Sequence, residues 1–232
     1  EKIIYFPNSY QPNDNTKIIS DKKLLKSNFG LPEEKFILCS FNNTYKITQE
    51  IFDVWISILK KNEKTVLWLF SSSKLFEKNI LEYVSTKKIN PSRIIFAQPT
   101  NNAEHLKRLK LADLFLDSFP CCGHTTASDA LWAGLPLITI KGKTFASRVA
   151  SSLLNNIGLN ELITSNLDEY YNLSCDLILN KNKLSNIKNK LKENKVKKTL
   201  FNSEEYTKNL EKAYKEVYEI KLKNLPIKNI YL

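Results

Sequence analysis

The chain has no methionine, five glycines, two histidines and four cysteines in 232 residues, and each shortage excludes something. With no methionine and Glu1 at its start, it is expected to be part of a longer translation product. Cys39, Cys121, Cys122 and Cys175 form no C-x-x-C pair, and two histidines cannot complete one, so neither a structural zinc site nor a disulfide framework is expected. A reducing, cytoplasmic setting is the matching expectation. No apolar run approaches the roughly 18 residues of a membrane span, and no basic-then-apolar leader opens the chain. G-x-G-x-x-G, Walker and D-x-D patterns are missing as well. Their absence argues against dinucleotide redox chemistry, P-loop hydrolysis and a carboxylate-held metal on a diphosphate. No metal or other cofactor is expected.

Acidic residues are comparatively few: 24 Asp and Glu stand against 35 Lys and Arg, for a formal charge of +11. Such a charge invites a nucleic-acid reading. Composition weakens it, because lysine outnumbers arginine 32 to 3, beside abundant asparagine and isoleucine, a bias of AT-rich coding rather than of a recognition surface. Much of the excess lies in "NKNKLSNIKNKLKENKVKK", residues 180–198, where lysines recur around several faces of a helix. A solvated lysine-rich helix is the simpler reading, and a phosphate or membrane patch the alternative.

What is present is a repeated β-α unit in a chain of 42% hydrophobic content, long enough to bury a sizeable core. "FILCSF" (Phe36 to Phe41) is short, nearly all apolar and followed by Asn-Asn, as a buried strand should be. "TQEIFDVWISILKK" then places Ile51, Val54, Trp55, Ile58 and Leu59 at helical spacing behind Thr48 as N-cap. The unit recurs at "TVLWLF", "RIIFA", "LFLDS" and "LPLITI", each followed by a helical segment. Five such units with strands apolar on both faces predict an α/β fold: a Rossmann-like parallel sheet with helices on both faces. After Gly158 the pattern is mostly helical, with Ser203 as a cap for the last long helix. Residues 1–30 lack periodicity and are rich in turn formers, and are taken as a linker or the tail of a preceding domain. Residues 31–179 form the Rossmann-like domain and 180–232 a helical extension.

Scarce residues gather in "CCGHTTASDALWAGLP", Cys121 to Pro136, where the fourth strand passes into its helix. Ligands of open α/β sheets bind beyond the carboxyl ends of the strands. There Gly123 permits close backbone approach, Thr125 and Thr126 set hydroxyls beside unpaired helix N–H groups, and an anion is favoured. His124 adds a ring donor, and Asp129, one turn on, can accept from sugar hydroxyls. The competing reading is a capped helix whose Thr and Asp serve only the backbone. Two more loops emerge on the same edge. "FNNTYK" brings Asn42, Asn43 and Lys46, and "AQPTNNAEHLKR" brings Thr100, Asn102, His105 and Arg108, the last two on one helical face. An imidazole can stack on a base and a guanidinium can bond its carbonyl edge. Trp132 suits core packing better than stacking, and Tyr45 and Arg148 carry no assignment.

Together "CSFNNTYKIT", "VLWLF", "RIIF", "AEHLKRLKLADLFLDSFPCCGHTTASDALWAGLPLIT", "TFASRVASSLL", "IGLNELI" and "LFNSEEYTKNLEKAYKEVYE" resemble the C-terminal catalytic region of the protein O-GlcNAc transferase family, which includes the SPINDLY-like enzymes. They run in order over about Leu31 to Glu219. The resemblance implies the donor-binding C-terminal lobe of a GT-B glycosyltransferase that inverts, needs no metal, and moves GlcNAc from UDP-GlcNAc to Ser or Thr of proteins. It implies that Lys46 stabilises the departing diphosphate with Asn43 beside it, that His124, Thr125 and Thr126 contact phosphates, and that Asp129 holds the ribose. His105 and Arg108 would address the base, and the loop near Thr100 would supply backbone contacts. Lys46 and His124 are the candidate catalytic residues.

Asn102 departs from the lysine that animal members have ahead of the "EH" pair. Keeping the "GHTT" histidine and "YK" favours a UDP-sugar over GDP-fucose. The N-terminal lobe and the tetratricopeptide repeats that gather protein acceptors in the family are not among these residues, so the chain by itself is expected to be incompetent for efficient transfer. A catalytically inactive nucleotide-binding or basic interaction module, or a transferase using another nucleotide sugar, is the alternative.

Overall fold

The computed structural model describes residues 1–232. Strand β1 (Ile4–Tyr5) is followed by β2 (Phe36–Ser40), α1 (Gln49–Lys61), β3 (Thr65–Phe70), α2 (Lys74–Thr86), β4 (Ile94–Ala97) and α3 (Asn102–Leu109). Then come β5 (Leu114–Leu116), α4 (Thr125–Ala133), β6 (Leu137–Ile140), α5 (Val149–Ile157), β7 (Ile163–Thr164), α6 (Leu167–Leu179), α7 (Lys181–Lys197), α8 (Ser203–Leu222) and β8 (Ile230–Tyr231). Six strands form a parallel sheet in the order β4-β3-β2-β5-β6-β7. The chain therefore winds outward from β2 to β4, returns to the middle, and winds the other way from β5 to β7. Right-handed crossovers put α1 and α2 on one face, where α6 joins α1, and α3, α4 and α5 on the other. This is the Rossmann-like parallel sheet with helices on both faces that the sequence pattern predicts.

Strands β2, β3 and β5 are covered on both faces and bury nearly every side chain, which is why they read as unbroken apolar runs rather than alternating ones. A core of 51 buried residues runs through both helical layers. It includes Leu184, Ile187 and Leu191 of α7, so the boundary expected at residue 179 separates two kinds of sequence and not two packing units. The lysine-rich helix is solvated on its other faces, where Lys183, Lys188 and Lys190 pair with Asp176, Asp113 and Glu161.

Most helices begin on a side chain that accepts from their own first turn: Thr48, Ser73, Asn101, Asn166, Asn180 and Asn202. Asn202, not Ser203, caps α8. The asparagine sits one residue earlier, outside the helix, where its side-chain oxygen accepts from the Glu205 N–H, while Ser203 is already inside the helix and turns its hydroxyl to Asn13 and Asn15.

The opening 30 residues do not trail away from the lobe. They form a strap: β1 pairs in parallel with β8, Asn13 is buried and accepts from Ser128 Oγ at 2.8 Å, and Ser20 N–H donates to the Ala103 carbonyl at 3.1 Å. The Trp132 indole N–H donates to the Lys17 carbonyl at 3.0 Å, while its ring packs on Phe201 and under the Lys195 ammonium. Periodicity gives no warning of this, because the strap is held by single polar side chains at irregular intervals. No helix is long and apolar enough to cross a membrane.

If α7 is part of the lobe's core, Leu191→Ala should destabilise the whole chain by about 2–5 kcal/mol. Chemical denaturation followed by tryptophan fluorescence would read this as a lower midpoint of a single transition, whereas an appended helix would leave the midpoint where it was.

Candidate functional site

The sheet order reverses between β2 and β5, which are neighbours although the crossovers leave them in opposite directions. A crevice opens at the carboxyl ends of such a pair, and the loops that follow both strands meet there. From β2 come Asn42, Asn43 and Lys46, and from β5 come Asp117, Ser118 and the turn from Cys121 to Thr126 that starts α4.

A buried carboxylate ties these loops together. Asp117, 1% exposed, accepts at Oδ1 from the Ser118 N–H at 2.9 Å, the Gly123 N–H at 2.6 Å and the Asn42 side-chain amide at 2.9 Å. Its Oδ2 accepts from Thr139 Oγ1 at 2.6 Å. Burial pushes the Asp117 carboxyl above its ordinary value, and these donors offset part of that shift. Asn42 passes the linkage on by accepting from Thr126 Oγ1 and donating to Ser118 Oγ at 2.8 Å. Behind it the Tyr170 hydroxyl, which accepts from Trp55 Nε1 at 3.2 Å, donates to the Asp117 carbonyl at 3.0 Å. Gly123 sits against this cluster: a Cβ there would stand 2.8 Å from Thr126 Oγ1 and 3.0 Å from Asn42 Oδ1. The close approach expected of Gly123 is thus to the protein's own polar groups.

On this base the predicted residues are set out. Helix α4 starts at His124 with no side-chain cap, leaving first-turn N–H groups and the positive end of its dipole open at the crevice. Thr125 is exposed and Thr126 half-buried. The His124 ring is edge-on to Phe145 and lies 3.4 Å from the Ala146 carbonyl through Nε2. Lys46 Nζ donates to the Cys122 carbonyl at 2.9 Å, which brings its ammonium to the turn preceding His124. Asp129 is 6% exposed and ion-pairs through Oδ1 with Lys17 at 2.5 Å.

His105 and Arg108 meet as their spacing predicts, but their roles divide. Arg108 is 2% exposed, with Nη1 on the Gln98 carbonyl at 2.5 Å and Nε and Nη2 at 3.2 and 3.0 Å from His105 Nδ1. A guanidinium so engaged braces the histidine from below rather than reaching a base's carbonyl edge. With Nδ1 accepting, the imidazole carries its proton on Nε2. Burial, and then the Arg108 charge, push its pKa down to about 4, so it is neutral at pH 7. Thr100 and Asn102 are exposed at the start of α3, where the Thr100 hydroxyl donates to Glu104 at 2.9 Å. No hydrogen bond links Thr100 or Asn102 to Lys46, His124 or Asp129, whereas the Asn43 carbonyl accepts from the Lys46 backbone N–H at 2.9 Å. Asn43 lies exposed with its amide 3.5 Å from the Tyr45 hydroxyl.

Asp117 and Lys17 are the site residues that sequence reasoning missed. A charge closing the apolar run "LFLDS" is a legible signal for Asp117. Lys17 has none, being one lysine among 32.

The profile of glycosyl transferase family 41 matches residues 13–210. The chain belongs to this family. It is 36% identical over 226 residues to the probable UDP-N-acetylglucosamine–peptide N-acetylglucosaminyltransferase SEC of Arabidopsis thaliana, a match covering 95% of this chain and 23% of that protein. To the UDP-N-acetylglucosamine–peptide N-acetylglucosaminyltransferase of Caenorhabditis elegans it is 33% identical, over 88% of this chain and 18% of the relative. A mutant O-GlcNAc transferase of Thermobaculum terrenum superposes with a TM-score of 0.75 at 25% identity, over 79% of this chain and 36% of that one. WaaG, a glycosyltransferase involved in lipopolysaccharide biosynthesis, shares the fold with a TM-score of 0.60 at 14% identity. This family 41 chain spans 23% and 18% of the length of the two curated relatives.

Two measurements check the site's internal logic. Removing the Asp117 carboxylate strands four donors in the interior, so Asp117→Ala should cost about 3 kcal/mol or more by urea titration, and a loss under about 1 kcal/mol would deny it the organising role. His105, followed by NMR of its ring nitrogens, should titrate near 4, and Arg108→Gln should raise that value by removing a neighbouring cation. The unfolded chain takes the same proton near 6.5, so this group's contribution to stability is complete above that pH and falls away as pH drops towards 4.

Proposed function

We propose that this chain is the donor-binding half of a metal-independent, inverting glycosyltransferase that moves GlcNAc from UDP-GlcNAc to Ser or Thr hydroxyls of proteins. The observation that carries the reading is the convergence at one topological switch point of an uncapped helix N-terminus, the Lys46 ammonium, His124 and the Asp129 carboxylate. The printed names of the relatives supply the sugar and the peptide acceptor.

In this reading the diphosphate lies over the start of α4, held by first-turn N–H groups and the hydroxyls of Thr125 and Thr126. Lys46 exchanges the Cys122 carbonyl for a phosphate oxygen. As the bond from the anomeric carbon to the phosphate oxygen breaks, its electron pair leaves with UDP, and Lys46, His124 and the helix dipole stabilise the charge that develops there. The acceptor oxygen bonds the anomeric carbon from the opposite face and gives its proton to a base. The acceptor hydroxyl is the substrate protein's, and the base and the contacts that hold the acceptor belong to the N-terminal lobe that the resemblance implies. At the far end Asp129 accepts from the ribose hydroxyls, and neutral His105 stacks on the uracil with Nε2–H as a donor. Fixed protein cations do the work that a metal does elsewhere on a diphosphate.

Titration calorimetry of the chain with UDP, UDP-GlcNAc and GDP tests this. Saturable binding that favours uridine is expected, weakened about tenfold or more by Lys46→Ala or His124→Ala, the loss of one hydrogen bond to a charged group. Failure of the folded chain to bind UDP, or binding indifferent to both substitutions, would overturn the assignment.

A further inference from the structure

We propose that Lys17, on the strap that crosses the lobe ahead of the sheet, is a positioning residue for the donor site: it holds Asp129 in the orientation that reads the ribose hydroxyls. The inference rests on the nucleotide-binding reading above and adds to it a residue from outside the Rossmann-like lobe.

Asp129 has one side-chain hydrogen-bond partner in the chain. Its Oδ1 takes the Lys17 ammonium at 2.5 Å, across 112 residues of sequence. Its Oδ2 has no partner, yet is not among the fully buried polar atoms left unsatisfied, so it keeps some contact with solvent. The pair is well shielded, with side chains 17% and 9% exposed, so the ammonium holds the carboxylate in one rotamer. Arg108 cannot serve, being committed to Gln98 and His105. Lys17 is delivered by backbone and not by chance: its own carbonyl accepts from Trp132 Nε1, Ser20 N–H is bonded to Ala103, and Asn13 is bonded to Ser128. These three anchors lie on α3 and α4, the helices that carry His105 and Asp129. None involves the Lys17 ammonium, so the ammonium can be removed with the strap still seated. With one oxygen fixed by Lys17, the other keeps its lone pairs free for a vicinal diol, a geometry a freely rotating carboxylate would hold only part of the time.

The test compares UDP with 2′-deoxy-UDP by calorimetry on the full 232-residue chain. The wild-type chain should prefer UDP. In Lys17→Met, UDP should bind about tenfold more weakly, as for one lost charge-assisted hydrogen bond, and the preference over 2′-deoxy-UDP should collapse towards unity. Lys17→Arg should restore both, and Asp129→Asn should erase the preference by itself and make Lys17→Met silent in the double variant. Thermal denaturation confirms folding, and Lys17→Gln replaces Lys17→Met should the latter unfold. A Lys17→Met chain that loses affinity equally for both nucleotides, or keeps the wild-type preference, would overturn the inference while leaving the donor-site reading standing. Absence of any UDP binding by the wild-type chain would instead strike at that reading.

Discussion

Everything at the crevice depends on a single buried carboxylate. Asp117 closes β5 and collects donors from its own strand end, from the Gly123 turn, from the Asn42 loop and from β6. Because these groups lie on three different strands or their loops, the carboxylate fixes the relative placement of the loops and not merely the shape of one. It is a costly device: a charge taken out of water must be met by several donors, and burial still leaves its carboxyl shifted upward. What is gained is a rigid floor under the start of α4. Gly123 is the complement, since the side chain of any other residue would collide with the network.

A second theme is how the chain manages cations. It carries 32 lysines, and most do what surface lysines do. In α7, Lys183, Lys188 and Lys190 pair with acidic groups on the neighbouring elements while its apolar residues join the core, so the lysine-rich segment forms one wall of the lobe. A few are placed by contacts that sequence composition cannot reveal. Lys46 is turned onto the Cys122 carbonyl, and Lys17 is brought to Asp129 by a strap that Trp132, Ser128 and the Ala103 carbonyl pin down. Arginine is used differently. Arg108 is spent inside the protein, where its fork holds a neutral histidine and a loop carbonyl at once. Neutral and braced, His105 presents a flat, uncharged ring held in one orientation.

Much of the fold was legible in the residues. Five apolar runs separated by amphipathic segments specify a parallel α/β sheet, because only strands covered on both faces lose their alternation. Caps were legible where Thr, Ser or Asn precedes a periodic run, and the one error, Ser203 for Asn202, is a single-residue shift at a helix end. The gathering of Gly123, His124, Thr125 and Thr126 was legible as the loop where a strand passes into a helix at the carboxyl edge of the sheet. The strap was not legible, as its contacts are isolated side chains with no period. Nor was the burial of Arg108, because spacing places a residue on a helical face without saying what lies above it.

The sequence by itself determined the elements, the winding of strand and helix, and which loops end on the carboxyl edge of the sheet, since these follow from local periodicity and the handedness of crossovers. Only the tertiary structure decided that β2 and β5 are neighbours, that Asp117 is the hub beneath their loops, and that Lys17 meets Asp129 across 112 residues. Contacts between distant segments depend on how separately formed elements pack, and a one-dimensional pattern carries no record of packing partners.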